Sequence, residues 1–423
     1  MVTLPDESQD VTLLLVKATQ ASYAVLAACT LSHFMNHIYT GALSPFLEII
    51  QTELGISYTL IGVVASAAVF AMTIAHFLVG YLVDRGHRDI FITISILGAA
   101  FATLMTSYAQ DFAFLTIFQI FLGIGASGYH PSSFPALTEM FPKSDRAKAT
   151  GIQAMGGLVG MAITPFLGVT LLVIMSSWQG VLRVIAILGL VLFFPTLLLM
   201  RSSSVKARES RIENENLEGP DGWTKNFWTM MVVSGLRGMA FRCTTLLMPL
   251  YLVVTYGAST VSAGILTAIM LTAGLFGEVV SSILSDRLHS RVVFLVISTG
   301  FATPAILLLN FSLEPIVLIL ILMAIGFFFF LGDPAFTALQ TEISPSKSRG
   351  VAFGLIFSVG AIPGAVSPIV FGYIGDLYGL AASILFLVLT TFLATVFSLF
   401  LKDDKSYLVR DSISMPEDVI PPL

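Results

Sequence analysis

The chain has 423 residues, of which 56% are hydrophobic and only 11% are charged, and its formal net charge is −5. Soluble domains carry roughly 25% charged residues. The composition therefore excludes a soluble fold and indicates an integral membrane protein with little mass outside the bilayer. It gives no support for binding of nucleic acid.

Twelve apolar spans follow one another along the chain, and each is long enough to cross a bilayer as a helix. Backbone polar groups must be satisfied internally in lipid, and these runs lack the alternation of barrel strands, so we predict helices throughout. The predicted spans cover residues 20–51, 56–82, 89–108, 112–140, 147–175, 179–201, 223–254, 259–285, 290–310, 314–342, 347–374 and 379–402. Cys29 and Cys243 lie inside spans, where we expect buried thiols rather than a disulfide.

One long polar connection divides the chain into two sets of six spans. The halves repeat, because residues 131–165 match residues 334–368 at prolines, glycines and charged positions without a gap. An even number of spans per half makes the repeats parallel and places a cavity between them near the midplane. The predicted domains are a first bundle at 1–201, a cytoplasmic linker at 202–222, a second bundle at 223–402 and a cytoplasmic tail at 403–423.

Lysine and arginine fall almost wholly on one side of the predicted membrane. All but three of the 21 lie at or beyond span ends that face the two termini. Cytoplasmic loops retain such residues, so we predict a multi-pass protein of the plasma or inner membrane with both termini in the cytoplasm. The exceptions are Arg183, near the outer mouth of span six, and Arg237 and Arg242, inside span seven. A charge inside a span is costly and usually functional.

The connection between spans two and three carries the clearest motif. It reads Gly80-x-Leu82-x-Asp84-Arg85-Gly86-x-Arg88, and Asp286-Arg287 repeats part of it in the second half. This motif resembles the signature of the major facilitator superfamily. Within that superfamily, Ser32 to His37 in span one and Tyr129-His130-Pro131 in span four are similar to the fosmidomycin-resistance exporters. The resemblance implies an all-α membrane protein of twelve helices in two six-helix bundles, with spans one, four, seven and ten lining a central cavity.

Polar residues concentrate on those four spans, with Glu278 in span eight as an exception and a third candidate proton site. The candidates for substrate binding or coupling are His33, Asn36, His37, His130, Arg237, Arg242 and Asp333. Helical periodicity places His33 and His37 on one face. Each histidine also fits a hydrogen bond between helices, and paired histidines alone are weak support for a metal, so we expect no metal site.

Arg237 falls near the predicted midplane and is a permanent cation, able to bind a carboxylate or phosphate with two hydrogen bonds. Asp333 and His130 occupy equivalent positions in the repeat, on opposite walls of the cavity, and either can exchange a proton. Asp333 can instead neutralise Arg237 when the site is empty, so that substrate competes for the arginine.

The cytoplasmic ends carry a second group of charges, with Glu139 and Arg146, and Glu342 and Arg349, resembling pairs in sugar porters. We predict a salt-bridge clamp that closes the cytoplasmic side; the alternative is ordinary positive-inside charge with incidental pairing. The predicted gate residues are Asp84, Arg85, Arg88, Glu139, Arg146, Asp286, Arg287, Arg291, Glu342 and Arg349.

We predict a secondary transporter that moves a small organic solute, with an anion favoured, by alternating access. No nucleotide-binding motif and no nucleophile–base pair is present, so we expect neither an enzyme nor a cofactor. Proton-linked efflux by a monomeric antiporter is favoured, with protons and bilayer lipid as the further partners. Proton-coupled uptake of a carboxylate-type metabolite, and a membrane sensor built on a transporter fold, are the alternatives.

Overall fold

The computed structural model describes residues 7–83, 85, 88–141, 143–202, 222–288, 290–345, 352, 355–356 and 361–403. Every regular element in these ranges is a helix. The helices are α1 Glu7–Gly41, α2 Leu47–Leu54, α3 Tyr58–Val83, α4 Arg88–Thr106, α5 Phe112–Ala126, α6 Tyr129–Met140, α7 Lys143–Met175, α8 Trp178–Ser202, α9 Lys225–Tyr256, α10 Thr260–Leu288, α11 Arg291–Leu308, α12 Pro315–Leu331, α13 Asp333–Glu342, α14 Ala361–Tyr378 and α15 Leu380–Ser398.

Ten segments of the described chain are long and apolar enough to cross a membrane, counting α5 with α6 and α12 with α13 as one segment each. Helices α1 and α14 supply the other two crossings. The predicted all-α fold of twelve spans is therefore confirmed. Cys29 and Cys243 are free and buried, as expected from their apolar surroundings.

Spans four and ten are each broken near their middle. The break falls between Ala126 and Tyr129 in span four and at Gly332 in span ten. Pro131 and Pro334 lie in the first turn of the helix that follows. A proline nitrogen cannot donate to the carbonyl four residues earlier, so the helix stops and restarts in both halves.

Span one also differs from its prediction, because it does not continue to residue 51. Helix α1 ends at Gly41, a 3₁₀ turn covers Ser44–Phe46, and α2 continues the chain. Pro45 stands in the first positions of the 3₁₀ turn, where its missing N–H costs no helical hydrogen bond.

We call the end of the bundle where α1 begins and α15 ends the proximal end, and the opposite one the distal end. The halves meet along two seams, α3 against α14 and α7 against α10. A side chain at Gly62 would collide with the carbonyl oxygen of Pro368, and one at Gly372 with that of Tyr58. Glycine at these positions lets the two backbones touch.

Hydrogen bonds between described residues join the halves at the distal end. The Asp376 carboxylate accepts from the backbone N–H groups of Tyr58 (2.7 Å) and Thr59 (2.9 Å) and from the Thr59 hydroxyl (2.5 Å). The Ser44 hydroxyl donates to the Leu246 carbonyl at 2.7 Å. Asp376, on α14, thereby caps the first turn of α3 in the other half, and the distal end is closed.

Candidate functional site

Three histidines meet in the first half of the chain, where α1 faces α6. The ring centroids of His33 and His37 lie 4.9 Å apart, and those of His130 lie 5.2 Å from His33 and 6.4 Å from His37. One ring nitrogen from each of the three falls within 4.8 Å of the others. The shared face of His33 and His37 that helical periodicity predicts is therefore present, and α6 adds the third imidazole.

His33 is held in place by residues from α6 and α7. Its Nδ1 atom lies 2.9 Å from the carbonyl oxygen of Gln153, and its ring stacks on Tyr129 with centroids 4.9 Å apart. The Tyr129 hydroxyl donates to the carbonyl of Cys29 at 2.9 Å. A side chain at Gly157 would collide with the His33 ring. The glycine thus makes room for an imidazole whose orientation is fixed.

His76, on α3, is a site residue that sequence reasoning missed, because polar residues were assigned to spans one, four, seven, ten and, for Glu278, eight. Its ring centroid lies 5.9 Å from that of His130, and its Nε2 atom is buried without a hydrogen-bond partner. The available signal was an imidazole inside an apolar span, which is costly unless it faces a polar neighbour or a cavity.

Asn36 lies behind the histidines and is 5% exposed. Its amide nitrogen donates to the carbonyl oxygen of Ala126, the last residue of α5, at 3.0 Å. The break in span four leaves that carbonyl without a helical partner. Asn36 therefore holds the break in shape, and a direct contact with solute stays a prediction.

Arg237 makes the corresponding hydrogen bond at the break in span ten of the second half. Its Nη2 atom donates to the carbonyl of Phe329 at 2.7 Å, and Phe329 occupies the position in the repeat that corresponds to Ala126. The same Nη2 atom lies 2.5 Å from Asp333 Oδ1. The guanidinium also stands over the Phe336 ring, 5.0 Å from its centroid. The neutralised Arg237–Asp333 pair that the sequence offered as an alternative is thus present.

Glu278 adds a second carboxylate to this pair. It interacts electrostatically with both Asp333 and Arg237, and its Oε2 atom is buried without a hydrogen-bond partner in the described chain. Gly277 brings α10 against the backbone of α12 at Phe327, close to the break in span ten. One guanidinium and two carboxylates therefore share a region near the middle of the membrane.

Arg242 has different surroundings. It is half-buried, and it interacts electrostatically with His37, His76 and His130 of the other half. Among the described ranges, no carboxylate lies within ion-pair distance of Arg242. The two arginines of span seven therefore differ in their surroundings, because Arg237 is paired with Asp333 and Arg242 interacts with histidines of the other half.

The predicted gate is visible only in part. Arg291 pairs with Glu342 (Nε to Oε1, 3.2 Å) and donates to Ser285 at 3.0 Å. Arg146 donates to the carbonyl of Phe141 at 3.1 Å. Arg85 lies on the Tyr81 ring, and Glu139 and Arg287 are exposed. Outside the described residues or side chains are Asp84, Arg88, Asp286 and Arg349. The full clamp stays a prediction.

An apolar groove of about 790 Å³ does not coincide with these charges. It opens on the flank of the bundle between α7, α10 and α12, and its walls include Phe166, Phe276 and Phe327. Thr272 is the polar side chain among its lining residues. A groove of this composition suits lipid better than a charged solute, so we place the candidate site in the polar centre.

The comparisons agree with this architecture. The model of the Major Facilitator Superfamily matches residues 29–368 and, in a second match, residues 230–414. A probable sulfoacetate transporter of Cupriavidus necator is 26% identical over 379 residues, covering 83% of this chain and 87% of the relative. A D-galactonate transporter of Escherichia coli is 26% identical over 375 residues, covering 80% and 85%.

Two solved structures share the fold. A bacterial homologue of the human lysosomal transporter Spinster, in an inward-facing and occupied conformation, superposes with a TM-score of 0.75 at 17% identity, covering 89% of this chain and 96% of the other. A D-xylose–proton symporter superposes with a TM-score of 0.73 at 16% identity, covering 90% and 98%. At these identities the likeness concerns the fold alone.

Proposed function

The chain belongs to the Major Facilitator Superfamily, and we propose that it is a secondary transporter that carries a small organic anion through its central cavity by alternating access. The family and the fold are those of multi-pass membrane transporters rather than enzymes. The named relatives transport small organic solutes. The proposal extends to the charge of the solute, its binding site and the coupling to protons.

Arg242 carries the proposal for an anion. A guanidinium stays charged, and a charge held away from bulk water needs a partner. In the described chain Arg242 has imidazoles around it and no carboxylate within ion-pair distance. A carboxylate or sulfonate can accept two parallel hydrogen bonds from it. The relatives' names, which include sulfoacetate, D-galactonate and galactarate/D-glucarate, support solutes of this class.

The Arg237–Asp333 pair with Glu278 supports a proton link. If both carboxylates were ionised, the group would carry a net negative charge inside the membrane, which is costly. Protonation of one carboxylate makes the group neutral. We propose that this proton is taken up and released as the halves rock, and that Arg237→Ala abolishes transport while the protein still inserts.

The distal closure supports the direction in which the cavity opens. The positive-inside pattern makes the proximal end cytoplasmic, in the plasma or inner membrane. Because the halves are joined at the distal end, we propose that the described state opens toward the cytoplasm. The division into bundles at 1–201 and 223–402, the clamp, the monomeric state and the subgroup near the fosmidomycin-resistance exporters stay predictions.

Efflux remains the favoured direction. Uptake of a carboxylate-type metabolite is the second candidate, and the solutes for which these relatives are named, D-galactonate and galactarate/D-glucarate, are carboxylates. Proteoliposomes with an imposed pH gradient decide between them. Accumulation of labelled D-galactonate or sulfoacetate against its gradient, driven by inward protons, indicates uptake. Accumulation driven by an opposite pH gradient indicates antiport.

Arg242→Gln tests the anion site directly. Hydrogen bonds to charged groups contribute about 1.5–3 kcal/mol each, so we expect this variant to bind the transported anion about 10- to 100-fold more weakly. The matched control is Arg183→Gln, because Arg183 lies over the Tyr108 ring at the distal end. Unchanged affinity in Arg242→Gln would move the site elsewhere. Binding without flux would favour the sensor.

A further inference from the structure

We propose that the cavity binds one divalent transition-metal ion of the zinc class on His33, His37 and His130. This revises the expectation of no metal site, which rested on two histidines of one helix. The proposal does not rest on the transport of an anion, because it concerns three imidazoles of the first half and their geometry.

The spacing of the three rings fits a metal centre. Zinc binds imidazole nitrogen at about 2.0–2.1 Å in a tetrahedral arrangement, which places the ring centres of neighbouring ligands about 5 Å apart. Two of the three centroid distances are 4.9 Å and 5.2 Å, and the third is 6.4 Å. The nitrogen atoms already converge to within 4.8 Å of one another. Tetrahedral coordination needs nitrogens about 3.4 Å apart, so binding requires the His37 or His130 side chain to move toward the other two by a change in its χ1 angle.

The surroundings of His33 prepare it as a ligand. The Gln153 carbonyl can only accept a hydrogen bond, so its 2.9 Å contact places the proton on Nδ1 of His33 and leaves a lone pair on Nε2. The amide nitrogen of Gln153, 3.2 Å from the same atom, donates to the Tyr129 hydroxyl instead. A backbone carbonyl that fixes the tautomer in this way is typical of metal-binding histidines.

A hydrogen bond between two helices is the alternative role of a membrane histidine, and His37 and His130 do not make one in the described chain. Within the described part of the chain, no protein group accepts from or donates to their ring nitrogens. Both side chains are half-buried. Two imidazoles with unused nitrogens beside a third that is already oriented can bind an ion without breaking any existing hydrogen bond.

Arg242 determines what completes the coordination. Three protein ligands leave one position open on a four-coordinate ion. A bound dication near Arg242 concentrates positive charge in a poorly solvated place, so an anion in the open position lowers the energy. The charge of Arg242 therefore lowers the affinity for the bare metal ion and raises the affinity for an anion.

The experiment is a calorimetric titration of the purified, chelator-stripped protein with Zn²⁺ alone. We expect one saturable site per chain, and Co²⁺ in its place should give the absorption bands of a tetrahedral ion. His37→Gln and His130→Gln should each weaken Zn²⁺ binding by about 100-fold or more. The matched control is His289→Gln, which lies between predicted spans eight and nine, and its affinity should stay within about threefold.

Arg242→Gln separates this proposal from that of the anion site. It should strengthen Zn²⁺ binding about tenfold and weaken binding of the organic anion, which is measured in the presence of chelator. Melting temperatures without metal establish that each variant is folded. Absence of saturable Zn²⁺ binding, or binding that survives both histidine variants, would overturn the metal site and leave the anion site to be judged by its own titration.

Discussion

Asp376 offers the sharpest test of how the halves close. Its carboxylate accepts most of the hydrogen bonds that join the halves at the distal end of the described chain. Asp376→Asn replaces one oxygen by an NH₂ group, which cannot accept from the N–H of Thr59, and it removes the negative charge at the start of α3. The variant therefore weakens distal closure without leaving a cavity.

The size of the effect follows from the hydrogen bond that is lost. One intramolecular hydrogen bond contributes about 0.5–1.5 kcal/mol, and the exposure of Asp376 reduces the electrostatic share. We take about 1 kcal/mol, which is about a fivefold shift from the distally closed toward the distally open population. If distal opening is also the slow step, the exchange rate rises.

Distances between two spin labels measure this shift. Thr52 on α2 and Ser259 before α10 are exposed at the distal end of opposite halves, in a background where Cys29 and Cys243 are replaced. The control is Glu314→Gln, another exposed distal carboxylate, which makes no side-chain cap. Equal distance distributions in Asp376→Asn and the parent would refute the idea that this cap holds the halves together.

The surroundings of Asp376 also predict how distal closure depends on pH. Asp376 lies beyond the predicted span 347–374. Burial raises the pKa of its carboxyl, whereas the hydrogen bonds from Thr59, Tyr58 and Ser57 lower it. The hydrogen bonds outweigh burial, so the pKa is lowered. The cap is therefore fully present above the ordinary pKa of about 3.9 and is lost only as the pH falls through the lower value in the closed state. Between pH 8 and pH 5 its contribution to distal closure should be constant.

Three further predictions concern other parts of the molecule. Asp333→Asn removes the partner of Arg237, so we expect solute exchange to continue while proton-driven accumulation falls at least about tenfold, and equal accumulation in vesicles would contradict the coupling role. Gly62→Val should separate the backbones of α3 and α14 and increase distal labelling, whereas Gly80→Val, with open space around its Cβ, should not. Glu342→Gln weakens its half-buried pair with Arg291, and because a hydrogen bond to a charged group contributes about 1.5–3 kcal/mol, we expect transport to change about 10- to 100-fold; unchanged transport would contradict a role of this pair in the predicted clamp.

Much of the fold and part of the site were readable from the sequence. Hydropathy placed the ten spans that the described chain shows as long apolar helices, because a helix in lipid must be continuously apolar, but it extended span one past its end at Gly41. The repeat identified His130 and Asp333 as equivalent, and each now lies in the first turn of a helix that restarts after a break. Charge identified Arg237 and Arg242, since few arginines lie inside a membrane span.

The remainder depends on which helices touch. Nothing in the spacing along one helix states that His76 of α3 meets His130 of α6, or that Gln153 of α7 orients His33. The different surroundings of Arg237 and Arg242 also depend on packing, because one faces the break in span ten and the other the opposite half. Hydropathy and charge alone assign both arginines the same chemistry.

The glycine seams have a consequence for how such a protein diversifies. Gly62 and Gly372 bring main chain against main chain where the halves meet, whereas His37, His130 and Arg242 belong to the proposed binding site. The parts that slide and the parts that recognise cargo are therefore different residues. Substitutions in the pocket can exchange one cargo for another while the hinge machinery is inherited unaltered, which makes this scaffold a favourable starting point for redesigned selectivity.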